Sequence, residues 1–103
     1  NQAIQFKIAD MAIEIEAARL LVQQAAWKKD QKLNYSHLAS IAKVYASEVA
    51  MRTSTQCVQI HGGYGYVLGY PVERLWRDVR VCTIYEGTSD VQRLVIGRAL
   101  AAG

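Results

Sequence analysis

Between Gln2 and about Lys29, apolar residues recur at Ile4, Ile8, Met11, Ile15, Ala18, Val22 and Ala25, in steps of four and three that set them on one face of a long helix. Lys7, Asp10, Glu14 and Lys28 fall off that face. A stripe of this kind gains its stability by packing against another element rather than from helix propensity alone. Asp30-Gln31-Lys32-Leu33-Asn34 is a polar connection of the length usual between antiparallel helices, and Ser36 can cap the helix after it.

A second helix is expected from about His37 to about His61. It has no Pro or Gly inside it, and Leu38, Ile41, Tyr45, Val49 and Ile60 are among its candidates for burial. Gly62-Gly63 ends it. The stretch from Gly62 to Pro71 holds four glycines and three tyrosines, a composition for tight turns and close backbone approach. Pro71 suits the first turn of a short helix from Val72 to about Asp78, with Leu75 and Trp76 on one side and Glu73, Arg74 and Arg77 on the other. Ser89-Asp90-Val91-Gln92 fits a capping box, so a last helix is expected from about Asp90 to Leu100. No segment alternates with period two and no repeat is visible, which makes the chain, residues 1–103, a single all-α domain, an up-and-down four-helix bundle.

At 103 residues the chain can bury a core but is short for an enzyme that must also enclose a bulky cofactor, so further protein surface is expected around it. Half of the residues are apolar and a fifth are charged, the balance of an ordinary globular protein. The net charge of +3 comes from basic residues interleaved with acidic ones, which gives nucleic-acid binding little support, and no apolar run reaches the ~18 residues that span a bilayer. Cys57 and Cys82 lack any metal-ligand spacing, so no metal site is expected, and they read as two buried thiols rather than a disulfide. The sequence opens on Asn1 and is amphipathic at once, with no signal-like block, and reads as part of a longer chain whose compartment stays open.

Several groups could carry chemistry. Glu86 lies just before a capped helix start, where free N–H groups favour anions; by position alone it is an exposed loop carboxylate or a base facing a cleft. Gln59-Ile60-His61-Gly62-Gly63-Tyr64-Gly65 has the glycines of a phosphate cradle but no preceding strand, so on the residues alone it reads first as a helix stop followed by turns, whose glycines still let a ligand approach the backbone closely. The same string contains His-Gly-Gly-x-Gly, which suggests a hydrolase, but there is no nucleophile elbow around Ser89. His37 and His61 each stand alone, and Arg74, Arg77, Arg80 and Arg93 can pair with Glu73, Asp78 and Asp90 on a solvated face.

Taken together, QIHGGYGY at Gln59 to Tyr66, YPVERLWRD at Tyr70 to Asp78 and IYEGTSDVQR at Ile84 to Arg93 resemble, in order and spacing, the acyl-CoA dehydrogenase family. NQAIQFKIADM at the start and EAARLL at Glu16 to Leu21 resemble the first helix of that family's carboxyl-terminal domain, which is itself a four-helix bundle. The resemblance implies an FAD-dependent oxidation of acyl-CoA to trans-2-enoyl-CoA, with electrons passed to electron-transferring flavoprotein, in a homo-oligomeric (dimeric or tetrameric) flavoprotein of the bacterial cytoplasm or mitochondrial matrix. It implies that Glu86 is the base for the substrate α-proton, that its own N–H donates to the thioester carbonyl, and that Gly87 lies against substrate.

By the same resemblance Thr88, Ser89 and Asp90 touch FAD, and Gln59, Ile60, His61, Gly62 and Gly63 reach an FAD held mainly by a neighbouring subunit. A Glu at position 86 points to the short- and medium-chain type. The family's amino-terminal helical domain and middle β-domain have no counterpart in these residues, so the chain alone is expected to be inactive. The alternative is a non-catalytic helical oligomerisation or interaction module of the same fold.

Overall fold

A computed structural model describes residues 2–62, 71–80 and 88–102, the side chains of 71–73 and 102 excepted. It contains four helices: α1 (Gln2–Asp30), α2 (Ser36–His61), α3 (Pro71–Arg80) and α4 (Ser89–Ala102). No strand occurs among the described residues. The all-α expectation and the order of the four helices hold, with ends shifted by one or two residues.

Helices α1 and α2 run antiparallel: near the turn Val22 and Ala25 line one groove with Ala39 and Ala42, and farther from it Arg52 Nε donates to Glu14 Oε2 at 3.2 Å across the pair. The side of α1 turned towards its partner is narrower than the apolar stripe. Met11, Glu14, Ala18, Leu21, Ala25 and Lys28 are buried or half-buried in alternating steps of three and four, the seam of a coiled-coil-like contact. Ile4, Ile8, Ile15 and Val22, expected on the packed face, are instead exposed, as are Phe6, Ile13, Leu20 and Trp27. The seam closes on small residues, Ala18 and Ala25 from α1 and Ala42 from α2, which let the two backbones approach closely.

Helix α2 is the common partner, since α1, α3 and α4 all pack against it. From His37 to Met51 none of its residues is exposed; Val49 and Val58 are buried, whereas Leu38, Ile41, Tyr45 and Ile60 are only half-buried. Two serines are buried in it, and Ser47 Oγ donates to Lys43 O at 2.6 Å, so its hydroxyl is satisfied within its own helix. Trp76 Nε1 of α3 donates to Thr55 Oγ1 at 2.9 Å, and Arg93 Nη2 of α4 donates to Glu48 Oε1 at 2.6 Å. Arg93 thus pairs with α2 and with Asp90, at 3.8 Å. Cys57 is a free, half-buried thiol, and Cys82 lies outside the described residues.

No large side chain is fully buried among the described residues. The chain exposes 7288 Å², against about 5,800 Å² for a solitary globular protein of its mass. Its radius of gyration is 16.0 Å, where about 13 Å is usual for this length. The shape is that of a rod with apolar sides.

The turn between α1 and α2 departs from expectation at one point. Ser36 does not cap α2; it is the first helical residue, Tyr35 occupies the cap position without a side-chain bond, and Asn34 Oδ1 accepts from Ser36 N at 3.2 Å. An Asn that bonds the backbone two residues on makes the turn itself, which leaves the Ser hydroxyl no capping task. At the other end of the turn, Leu33 N donates to Lys28 O (2.9 Å) and Lys32 N to Lys29 O (3.1 Å), a Schellman stop with Lys32 at φ 58°. A left-handed lysine is strained where glycine is not. Lys32→Gly is therefore expected to stabilise the chain by about 0.5–1 kcal/mol and Lys32→Val to destabilise it by about 1 kcal/mol, read from the midpoint of urea unfolding.

Candidate functional site

The residues singled out from the sequence fall at two helix ends. At the end of α2, Gly62 has φ 62° and ψ −135°, and its N–H donates to Gln59 O. That conformation is open essentially to glycine only. A Cβ built on Gly62 would meet nothing within 4 Å, so the glycine answers to backbone geometry and leaves the surrounding space clear. Ile60 is half-buried, while Gln59, His61 and Gly62 are exposed. His61 is turned back onto the helix, its Nδ1 donating to Cys57 O at 2.8 Å, which leaves Nε2 as the ring atom pointing away from that bond. Gly63 lies outside the described residues.

At the start of α4 the cap falls one residue earlier than the sequence pattern placed it. Thr88 Oγ1 accepts from Val91 N at 3.2 Å, and Thr88 O accepts the first helical bond from Gln92 N at 2.9 Å. Thr88 is thus the capping residue, Ser89 the first residue of the helix, and the Ser89-to-Gln92 capping box does not form. The physical reason is adjacency: two neighbouring hydroxyls compete for one cap position, and the one that takes it leaves the other inside the first turn. The result is an orphan. Ser89 Oγ is buried and has no hydrogen-bond partner, a state that costs free energy unless something satisfies it. Asp90 projects into solvent in the first turn. Glu86 and Gly87, immediately upstream, lie outside the described residues.

Arg93 meets α2 at Glu48, which precedes Gln59 by eleven residues, a rise of roughly 16 Å along the helix. A groove of ≈ 540 Å³ lies elsewhere, by the α1–α2 turn, lined by Ala25, Ala39, Ala42 and Ala46 together with Lys29 and Lys43. No carboxylate lines it. The pairing of Arg93 with Glu48 gives no signal in the sequence, because the partners are separated by two connections and a helix. Thr88 carries the same hydroxyl signal as Ser89, but only Ser89 has a Gln three residues on, which makes its pattern the stronger of the two.

Comparison with known proteins supplies a frame for these ends. Residues 1–101 match the model of the acyl-CoA dehydrogenase carboxyl-terminal domain. The chain is 58% identical over 99 residues to caffeyl-CoA reductase-Etf complex subunit CarC of Acetobacterium woodii, covering 96% of this chain and 26% of that protein. It is 55% identical over 95 residues to the mitochondrial short-chain specific acyl-CoA dehydrogenase of Homo sapiens, covering 92% and 23%. The butyryl-CoA dehydrogenase structure from Megasphaera elsdenii superposes with a TM-score of 0.95 at 54% identity, over 97% of this chain and 26% of that one. A FAD complex of PigA superposes at 0.94 with 28% identity, over 98% and 26%. The chain therefore spans about a quarter of the length of the curated relatives it matches.

Substitutions separate the two hydroxyls and the glycine. Thr88→Ala is expected to cost about 1 kcal/mol by loss of the cap, whereas Ser89→Ala should be neutral or slightly stabilising in ligand-free protein, since it removes an unsatisfied buried oxygen. Gly62→Ala should cost about 1–2 kcal/mol despite the open space around it. Chemical denaturation of the three variants reads all of these; a larger loss at Ser89 than at Thr88 contradicts the cap assignment.

Proposed function

The chain belongs to the acyl-CoA dehydrogenase family, as its carboxyl-terminal domain, and from that premise we propose that it supplies the catalytic base and part of the flavin site of an FAD-dependent enzyme acting on acyl-CoA thioesters. The match of residues 1–101 to that domain carries the reading. Residues 1–103 are, on this view, one bundle domain of a longer polypeptide whose other domains complete the active site.

Glu86 is the group that moves the proton. Its carboxylate takes a proton from the substrate α-carbon as the α,β double bond forms, and its backbone N–H donates to the thioester carbonyl, where negative charge develops. Gly87 lets substrate pass close to the backbone. FAD, when bound, supplies the acceptor for the hydride that leaves the β-carbon. Thr88, Ser89 and Asp90 would hold the cofactor at the start of α4, and the fit is physical: an anionic diphosphate suits a helix N-terminus, and the unpartnered Ser89 Oγ is a hydroxyl with a bond to give. Gln59 through Gly63 would reach a second cofactor, held by a neighbouring subunit of a homodimer or homotetramer.

Electron-transferring flavoprotein is the proposed redox partner, and the name of the Acetobacterium relative, an Etf complex subunit, supports it. That name also favours a second reading, the same chemistry run as a reduction, in which protonated Glu86 returns the proton to the α-carbon. A glutamate at position 86 and the human short-chain relative support substrates of the short- or medium-chain class. Among the described residues no helix is long and apolar enough to cross a membrane, and the proposed compartment is the bacterial cytoplasm or mitochondrial matrix.

In full-length protein, Glu86→Gln is expected to retain FAD and lose at least ~10³-fold in turnover with butyryl-, hexanoyl- and octanoyl-CoA and a dye acceptor. Near-normal turnover refutes the assignment. A full-length protein that purifies without flavin absorbance would favour a non-catalytic helical module instead. The 103-residue chain by itself is expected to give a helical circular dichroism spectrum and no activity.

A further inference from the structure

Arg93 occupies a particular place in α4. Its Nη2 donates to Glu48 Oε1 of α2 at 2.6 Å, while its Nη1 lies 3.8 Å from Asp90 Oδ1 in the first turn of its own helix. Glu48 in turn stands one helical turn from Arg52, which is bonded to Glu14 of α1. The Arg52 guanidinium is held further towards its charged form first by that hydrogen bond and then by the charges of Glu14, Tyr45 and Glu48, with desolvation acting in the opposite sense. Charge therefore alternates from α1 through α2 to α4 along one line: Glu14, Arg52, Glu48, Arg93, Asp90.

The apolar contact beneath this line is thin. The inward seam of α4 is half-buried at best and carries one large aliphatic side chain, Ile96. A seam of small and polar residues resists sliding and rotation poorly, whereas a short charge-assisted hydrogen bond has a direction and a length. Arg93 stands four residues past Ser89, roughly 6 Å along the axis. The residues just before the helix are covalently continuous with it, so a shift of α4 along α2 carries them with it.

We propose that Arg93 is a positioning residue: clamped to Glu48, it fixes the register of α4 on α2 and thereby the residues that α4 carries at its start, Glu86 among them. The inference rests on the reading of Glu86 as the base. It assigns Arg93 and Glu48 a role in turnover out of proportion to their role in stability. An ion pair as exposed as this one contributes little to folding, but a misplacement of about 1 Å in a reacting group can cost ~100-fold in rate.

The test uses full-length, FAD-loaded protein carrying Arg93→Met, Glu48→Gln, both together, Arg93→Lys, and Glu86→Gln as the reference. Turnover of butyryl-CoA per bound flavin is expected to fall about tenfold or more in each of the first two variants. KM and flavin content should stay near wild type, and the melting temperature should move by no more than ~3 °C. The double variant should be no slower than the slower single, because both remove one interaction. Arg93→Lys, which keeps the charge and a donor, should recover part of the loss. Turnover per flavin in Arg93→Met within about twofold of wild type, while Glu86→Gln is inactive, overturns the positioning role and leaves the base intact. Loss explained wholly by missing flavin or a large drop in melting temperature also overturns it, since that is a folding effect. An active Glu86→Gln variant removes the premise and the proposal together.

Discussion

The enclosure of α2 is the constraint on which the rest of the structure depends. Three helices pack against this one, and along its middle, from His37 to Met51, no residue reaches full exposure. The residues it buries outright are small. Ala42 is buried against α1, Val49 and Val58 fill the remaining space, and the buried Ser47 hydroxyl is satisfied by the carbonyl of Lys43 without help from a neighbour. A helix surrounded in this way acts as an axis whose successive turns set the height of α1, α3 and α4.

An axis built from alanines leaves the larger apolar residues elsewhere. Phe6, Ile13, Leu20 and Trp27 on α1 and Leu94 and Leu100 on α4 are more than half exposed, a pattern that suits a bundle whose outer sides meet further protein. The excess of exposed surface over that of a solitary chain has the same cause.

At both ends of the proposed site the local features follow from how a helix starts or stops. Gly62 ends α2 in a conformation that side chains resist, for reasons of backbone geometry rather than crowding. Thr88 takes the cap of α4 and so leaves the Ser89 hydroxyl buried without a partner. The charges from Glu14 to Asp90 then connect these local events to the axis, through pairs that contribute more to alignment than to stability.

Much of this was legible in the sequence, and the division has a physical basis. Helix periodicity, Gly62 as a stop, Pro71 as a start and the strings around Gln59 and Glu86 are local properties, encoded by residues a few positions apart, and they determined the number, order and type of helices and the family. The apolar stripe on α1 was legible as well, but not which part of it would be buried: Ile15 and Val22 lost to Glu14 and Leu21 because the height and rotation of α2 choose the seam. The Asn34 turn and the Thr88 cap turned on choices between adjacent polar residues that pattern alone does not rank. Only the tertiary structure could join Glu48 to Arg93 and Glu14 to Arg52, since such pairs form when packing brings distant turns to one level and leave no periodic trace in the chain.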